Sequence, residues 1–227
     1  MSDVLVLCYH ALSPTWPAQL STTPERFAAQ LGHLRRRGWH ATTFLDAVRA
    51  PRGRRTLAVT FDDAFRSVAT LAKPILDDLG WPATVFVPTA FPGRGGPLSW
   101  TGIDQWRDGA HAGELAVMTW PEIRALAGAG WEIGSHTRLH PRLTTLDDEA
   151  LSRELEGSRA DCEQELGRPC PTLAYPYGDV DARVVAAAVD AGYEAAAALP
   201  ARLHDDRRHE WPRIGVYHKD GLGRFRL

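Results

Sequence analysis

The sequence predicts an α/β fold in which a parallel β-sheet, either open or closed into a barrel, is covered by helices. Short apolar runs typical of buried strands alternate with helical patterns along most of the 227 residues. Several polar side chains follow directly after these runs, as expected where the carboxyl ends of parallel strands meet. No internal repeat, low-complexity tract or linker divides the chain, so we expect a single domain spanning residues 1–227.

The first half of the chain contains three predicted strands and two predicted helices. A helix over 24–37 is ended by Gly38, and a second helix over about 65–79 is ended by Gly80, with a kink expected at Pro74. A segment over 91–118, rich in Gly, Pro and Trp, is predicted to be an insertion. The predicted strands are 4–9, 57–61 and 83–87.

The second half continues the alternation of strands and helices. Thr119 and Glu122 have the spacing of a capping box, which predicts a helix that closes at Gly130. The remaining predicted elements are strand 131–134, helix 147–166, strand 172–175, helix 180–191, strand 193–197 and strand 213–217.

Composition excludes several classes of function. The formal net charge is -2, and no run of Lys and Arg is long enough to indicate nucleic-acid binding. The three cysteines, Cys8, Cys162 and Cys170, have no CxxC spacing, which argues against a disulfide framework or a thiolate zinc site. The first residues do not resemble a secretory signal, and no apolar run approaches the ~20 residues that span a bilayer. We therefore expect a cytoplasmic protein without a membrane span.

Two carboxylates and two imidazoles form the main candidate site. Asp62 and Asp63 follow the apolar strand 57–61, and His136 and His140 follow strand 131–134. One carboxylate and two imidazoles suit a divalent ion that keeps open positions. The second carboxylate would then be free to act as a base, which is typical of hydrolases. The alternative for Asp63 is a helix cap.

Two weaker signals lie at other strand ends. The segment Tyr175-Pro176-Tyr177-Gly178 is either a simple turn or a place where a backbone N–H binds an oxyanion between aromatic walls. His10, after the first strand, is either a proton donor or a locally hydrogen-bonded histidine. Trp100 and Trp106 of the insertion either stack on sugar rings or pack over the sheet.

Three ordered segments resemble the polysaccharide deacetylases of carbohydrate esterase family 4. They are Thr60-Phe61-Asp62-Asp63-Ala64, Ser135-His136-Thr137-Arg138-Leu139-His140-Pro141 and Tyr175-Pro176-Tyr177-Gly178. The opening Cys8-Tyr9-His10 is similar to the start of a permuted subgroup, the poly-N-acetylglucosamine deacetylases. The resemblance extends from about residue 4 to 220 and implies a distorted (β/α) barrel of about seven parallel strands.

The resemblance also implies roles for individual residues. Asp63, His136 and His140 would hold one divalent ion, zinc by expectation, with cobalt, nickel or manganese as alternatives. Asp62 would be the general base, and the Tyr177 N–H would stabilise the oxyanion. Tyr175, Pro176 and Trp100 are expected to contact substrate, and His10 is favoured over His204 as the acid.

The chain departs from the family pattern at two positions. Ala64 replaces a glycine, at a cost on the order of 1 kcal/mol if that position requires a positive φ. Ala174 replaces an arginine that orients the base, which leaves Asp62 either less well positioned or tuned by another group.

The predicted function is metal-dependent removal of an N-acetyl group from an amino sugar in an oligosaccharide or glycoconjugate. One alternative is a deacylase for an O-acetyl ester or a non-sugar amide. The other, motivated by Ala64 and Ala174, is a carbohydrate-binding protein on a degenerate enzyme scaffold.

Overall fold

A computed structural model describes residues 4–49, 55–94, 96–200 and 207–225. One parallel sheet dominates it, in the order β10-β9-β8-β7-β6-β5-β1-β11, with β4 beside β5. A short parallel pair, β2 and β3, lies apart from this sheet. The strands are β1 Val4–Tyr9, β2 Ala11–Leu12, β3 Ser21–Thr22, β4 His40–Thr42, β5 Thr56–Phe61, β6 Thr84–Val87, β7 Glu132–Ser135, β8 Thr172–Ala174, β9 Ala195–Ala198, β10 Trp211–Pro212 and β11 Ile214–Gly215.

Residues 211–215 close this sheet into a barrel. Trp211 in β10 pairs with Ala197 in β9, and Ile214 in β11 pairs with Leu7 in β1. The same stretch therefore joins both edges of the sheet and completes a ring of seven strand positions. β4 is an eighth strand, beside the first half of β5. The predicted distorted (β/α) barrel is confirmed.

In the part of the chain that the structure describes, six α-helices follow or connect these strands. Within the described residues, no helix is both long enough and apolar enough to cross a membrane. In α4, the Thr119 hydroxyl accepts the Glu122 N–H and the Glu122 carboxylate accepts the Thr119 N–H, so the predicted capping box is confirmed. The helices are α1 Pro24–Arg36, α2 Phe44–Arg49, α3 Lys73–Leu79, α4 Trp120–Gly128, α5 Asp148–Leu166 and α6 Ala182–Asp190.

The structure differs from the predicted elements in several places. The sequence pattern missed β2, β3, β4 and α2, which are 2, 2, 3 and 6 residues long. The predicted helix 65–79 is a π-helical segment, Val68–Ala72, followed by α3, and Pro74 lies in the first turn of α3, where its missing N–H is tolerated. The predicted strand 213–217 is interrupted, since Arg213 lies between β10 and β11.

The barrel interior is lined by small residues. Ala58, Ala174, Ala195 and Ala197 form a buried cluster with Phe86 and others, whereas neighbouring residues of the same strands pack outward against the helices. This alternation follows the two-residue period of strands. Small side chains inside the barrel leave room for the fully buried Arg213, whose guanidinium carbon lies 5.4 Å from the Phe86 ring centroid.

Candidate active site

The main candidate side chains follow the carboxyl ends of parallel strands. Asp62 and Asp63 come directly after β5, His136 follows β7, and His10 follows β1. The shared strand direction brings them to one end of the barrel, where functional side chains gather in this architecture. The helical segment after β5 has Ser67 at its N-cap position, so Asp63 does not cap it.

The loops that carry these residues hold strained backbone. Among the described non-glycine residues, a positive φ occurs at Asp63, Ala64, Thr137, His140 and Tyr177. Left-handed conformations cost on the order of 1–3 kcal/mol each and persist where the surroundings determine them. Ala64, at φ 54°, therefore meets the condition under which the loss of the family glycine is expected to be unfavourable.

Asp63, His136 and His140 meet in a buried cluster. The Asp63 Oδ1 lies 3.4 Å from the Nε2 of His136 and 3.4 Å from the Nε2 of His140. Bonds of about 2.0–2.1 Å at tetrahedral angles place ligand atoms about 3.3–3.4 Å apart. The Asp63 Oδ1 is also buried without a hydrogen-bond partner. These residues therefore fit a divalent ion.

Burial and the nearby carboxylates shift the pKa values of the two histidines in opposite directions. Burial lowers the pKa of His140 to about 3, which keeps its ring neutral. His136 is also buried, but the Asp62 and Asp63 carboxylates outweigh burial and raise its pKa. Its Nδ1 lies 2.7 Å from the Ala174 carbonyl, to which it donates, so Nε2 faces the cluster. Burial would raise the pKa of Asp63, but the histidines hold it below its usual range.

Asp62 is held by a buried arginine that the sequence motifs did not identify. The Arg213 Nη1 lies 2.7 Å from Oδ1 of Asp62, and Nη2 lies 2.8 Å from Oδ2. Burial alone would raise the pKa of Asp62, but the guanidinium lowers it below its usual range. Ala174 therefore does not leave Asp62 without an arginine. The available signal was a lone cation inside the otherwise apolar segment 211–216.

Cys8 is a second neighbour of Asp62 that sequence reasoning missed. Its thiol donates to Oδ2 of Asp62 at 3.3 Å, and burial raises its pKa, which keeps the proton on sulfur. Side-chain atoms of Cys8, His10 and Asp62 lie within 4.8 Å of one another. Because the Arg213 guanidinium already occupies both oxygens of Asp62, a cation is disfavoured in this second cluster.

A cavity of about 650 Å³ opens above the cluster. Trp100 lines it and stacks on His140, with ring centroids 4.1 Å apart, and Trp106 lines it while packing against Trp16 in the core. Trp106 therefore meets the packing interpretation, and stacking on a sugar ring stays a prediction. The side chain of Tyr177 also lines the cavity, with its ring centroid 4.6 Å from that of His140.

Of the remaining predicted residues, only His10 is found in the cavity lining within the described part of the chain. His10 lines the cavity, its Nδ1 is buried without a partner, and burial lowers its pKa. His204 lies outside the described residues. The side chain of Tyr175 does not reach the cavity, because it packs in the outer core and donates to the His209 carbonyl. Pro176 is buried beside it and is likewise absent from the cavity lining.

Comparison with known sequences points to one family. A family model described as polysaccharide deacetylase matches residues 49–196, about two thirds of the chain. A stretch of 64 residues is 41% identical to chitin deacetylase 1 of Cryptococcus neoformans, and this stretch spans 28% of the present chain and 14% of that protein.

Solved structures share the fold over nearly the whole chain. A polysaccharide deacetylase from Bacillus cereus has a TM-score of 0.78 at 23% identity, over 98% of this chain and 67% of that one. The Streptococcus pyogenes deacetylase PplD in complex with acetate has a TM-score of 0.79 at 19% identity, over 95% and 93%. IcaB from Ammonifex degensii has a TM-score of 0.76 at 24% identity, over 95% and 92%. At these identities the likeness concerns the fold.

Proposed function

The chain belongs to the polysaccharide deacetylase family, and from this premise we propose that it is a metal-dependent hydrolase that removes an N-acetyl group from an amino sugar. One observation carries the proposal. The Asp63, His136 and His140 cluster, with ligand-atom distances that suit a divalent ion, lies beside a carboxylate held by Arg213 in the same cavity. A metal-ligand set beside a separate base is an arrangement suited to metal-assisted hydrolysis of an amide.

Asp63, His136 and His140 would hold the ion, with zinc as the expected metal. When bound, it polarises the acetyl carbonyl and makes water more acidic. Asp62 accepts the proton of the attacking water as the oxygen joins the carbonyl carbon. Arg213 keeps that carboxylate ionised and fixes its orientation, since it bonds both oxygens. The base is therefore available across the neutral pH range.

Two further groups would complete the reaction. Tyr177 has a positive φ and lines the cavity, and its N–H would donate to the developing oxyanion. His10 would transfer a proton to the departing nitrogen as the C–N bond breaks, which gives acetate and a free amine. Because burial lowers the pKa of His10, its resting ring is neutral. The proton that Asp62 takes from water would therefore move to His10, whose ring lies within 4.8 Å of the Asp62 carboxylate, and His10 would then donate it to the nitrogen.

The aromatic cavity walls favour a sugar substrate. Trp100, Trp106 and Tyr177 line the cavity, and aromatic faces and edges pack well against sugar rings. Gln19 and Gln105 add side-chain amides that can bond hydroxyl groups. This combination of apolar faces and polar amides supports an N-acetylated oligosaccharide or glycoconjugate as the substrate class.

An O-acetyl ester is the second candidate substrate, because the same base and ligand set would hydrolyse an ester. One of the two reasons for considering a degenerate, binding-only protein is removed, because Arg213 bonds Asp62 in place of the arginine that Ala174 replaces. A protein that only binds sugar has no requirement for an ionised, arginine-paired carboxylate next to a ligand cluster.

Acetate release separates these candidates. We expect purified protein supplied with zinc or cobalt to release acetate from soluble N-acetylglucosamine oligomers, and chelator to stop the release. Acetate release from acetylated xylan, without release from N-acetylglucosamine oligomers, would identify the substrate as an O-acetyl ester instead of an N-acetyl amide. Sugar binding without turnover under any metal would favour the binding scaffold. His140→Ala is the matched control, because it removes one ligand and leaves Asp62 and Arg213 unchanged.

A further inference from the structure

One face of α5 lies against the loop that carries both histidines. Glu154, Gly157, Ser158 and Asp161 are spaced at i, i+3, i+4 and i+7, which places them on the same side of the helix. We call these four residues the α5 stripe. Family motifs do not include them, since they lie 14 or more residues beyond His140 in the sequence.

Glu154 contacts the backbone of the loop at two positions. Its Oε2 accepts the N–H of Arg138 at 2.8 Å and the N–H of Leu139 at 2.9 Å. Both donors lie between the two histidines, and the Glu154 residue is only 8% exposed. A carboxylate that accepts two backbone N–H groups fixes the path of the chain across them, because charge-assisted hydrogen bonds are strong and directional.

The rest of the α5 stripe fits the same loop. A Cβ at Gly157 would lie 2.7 Å from the Cδ of Arg138, so glycine allows that side chain to cross the helix. The Arg138 Nε then reaches Asp161 at 2.9 Å. At the end of β7, the hydroxyls of Ser135 and Ser158 are 2.7 Å apart. The stripe therefore contacts the loop on both sides of His136.

Strain in this loop explains why such support is needed. Thr137 and His140 both have a positive φ, which is unfavourable for side chains of this size. The loop also bonds internally, since the His140 N–H donates to the Thr137 hydroxyl at 3.1 Å. A strained turn stays in one conformation where several independent contacts determine it.

We propose that the α5 stripe, and Glu154 above all, sets the separation of His136 and His140, so that metal affinity depends on a helix that supplies no ligand. Glu154 is a positioning residue for the metal centre, and this inference rests on the proposed function. Groups that orient metal ligands typically contribute about 10–100-fold to affinity.

Metal titration of the apo protein tests the proposal without any substrate. Calorimetry with zinc, and the visible spectrum with cobalt, would compare wild type with Glu154→Ala, Glu154→Asp and Glu154→Gln. We expect Glu154→Ala to weaken binding about 10–100-fold. Glu154→Asp should weaken it less, and Glu154→Gln should restore it, because an amide oxygen can also accept both N–H groups. Glu156→Ala is the matched control, since Glu156 lies on the exposed side of α5.

The outcomes are distinguishable. Equal affinity in Glu154→Ala and wild type, with His140→Ala abolishing binding, would overturn the positioning role and leave the metal centre intact. Absence of metal binding in folded wild type would overturn the proposed function as well. Should Glu154→Ala fail to fold, the comparison of Glu154→Asp with Glu154→Gln decides, because both keep a polar side chain. Weakened binding in Glu154→Asp with normal affinity in Glu154→Gln supports the proposal.

Discussion

Two carboxylates at opposite ends of the barrel have pKa values shifted in opposite directions, although burial favours the protonated form of both. Glu132 lies at the amino end of β7 and is partly exposed, and burial raises its pKa. Its partners, the Leu45 N–H and neutral threonine hydroxyls, carry no charge and do not offset the effect of burial. Asp62, just beyond the carboxyl end of β5, is 1% exposed, yet its pKa is lowered. The charge of the partner, Arg213, therefore outweighs burial.

This difference separates a structural carboxylate from a reactive one. Glu132 joins three neighbouring segments, since its oxygens accept from Leu45, Thr84 and Thr172. It touches no part of the cavity. Asp62 lines the cavity and is held ionised, which is the state required of a general base.

The largest expected effect comes from removing the charge of Asp62. Asp62→Asn should lower kcat by about 10²–10⁴-fold, because the amide cannot accept the proton of water. Metal content should stay near that of wild type, since Asp62 is not in the ligand cluster. Steady-state kinetics and metal analysis on the same samples check this. Near-normal kcat would eliminate Asp62 as the base.

Replacing Arg213 tests whether its charge is what distinguishes the two ends. Arg213→Met leaves Asp62 buried beside no cation, and breaking a buried pair from one side costs about 3–5 kcal/mol. Chemical denaturation should show a loss of this size, together with a large loss of kcat. Arg208→Met is the control, because Arg208 pairs with Glu194 at the surface. Equal stability losses in the two variants would contradict the central role of the buried pair.

How far the sequence predicts this site follows from the distances along the chain. The ligand cluster is carried by short motifs at the ends of β5 and β7, so strand order alone predicts their meeting. Arg213 lies 151 residues from Asp62, and only closure of the barrel brings it there. Tyr175 lies next to motif residues but points outward, because the two-residue period of β8 places Ala174 inside. The residue types in a motif do not determine whether a residue at the end of a strand faces the inside or the outside of the barrel.

The variant Glu132→Gln tests the raised pKa of the carboxylate at the amino end of the barrel. The folded pKa of Glu132 is raised, so its protonated form favours folding at low pH, and that stabilisation is lost as pH rises through the folded pKa. The variant carries no charge at any pH. Its stability relative to wild type should therefore increase as pH rises above about 4.3, the unfolded value. Denaturation at several pH values measures the trend, and kcat should stay within about twofold. A relative stability that falls with rising pH would contradict the raised pKa.

The non-glycine residues with a positive φ among those described follow the carboxyl ends of strands, on the side of Asp62. Replacing one of them, Ala64, should have the smallest effect of the changes proposed. At φ 54°, alanine is less favourable than glycine by about 1 kcal/mol. Its methyl group is fully buried, however, and burial of one such group contributes about 0.8 kcal/mol. The two terms nearly cancel, so Ala64→Gly should change the free energy of unfolding by less than about 0.5 kcal/mol. Ala58→Gly in the adjacent strand is the control: it loses a buried methyl group without relief of strain, and it should destabilise by about 1 kcal/mol or more. Equal losses in the two variants would show that the left-handed turn beside Asp63 stores no strain, and the family glycine would then have no conformational advantage in this chain.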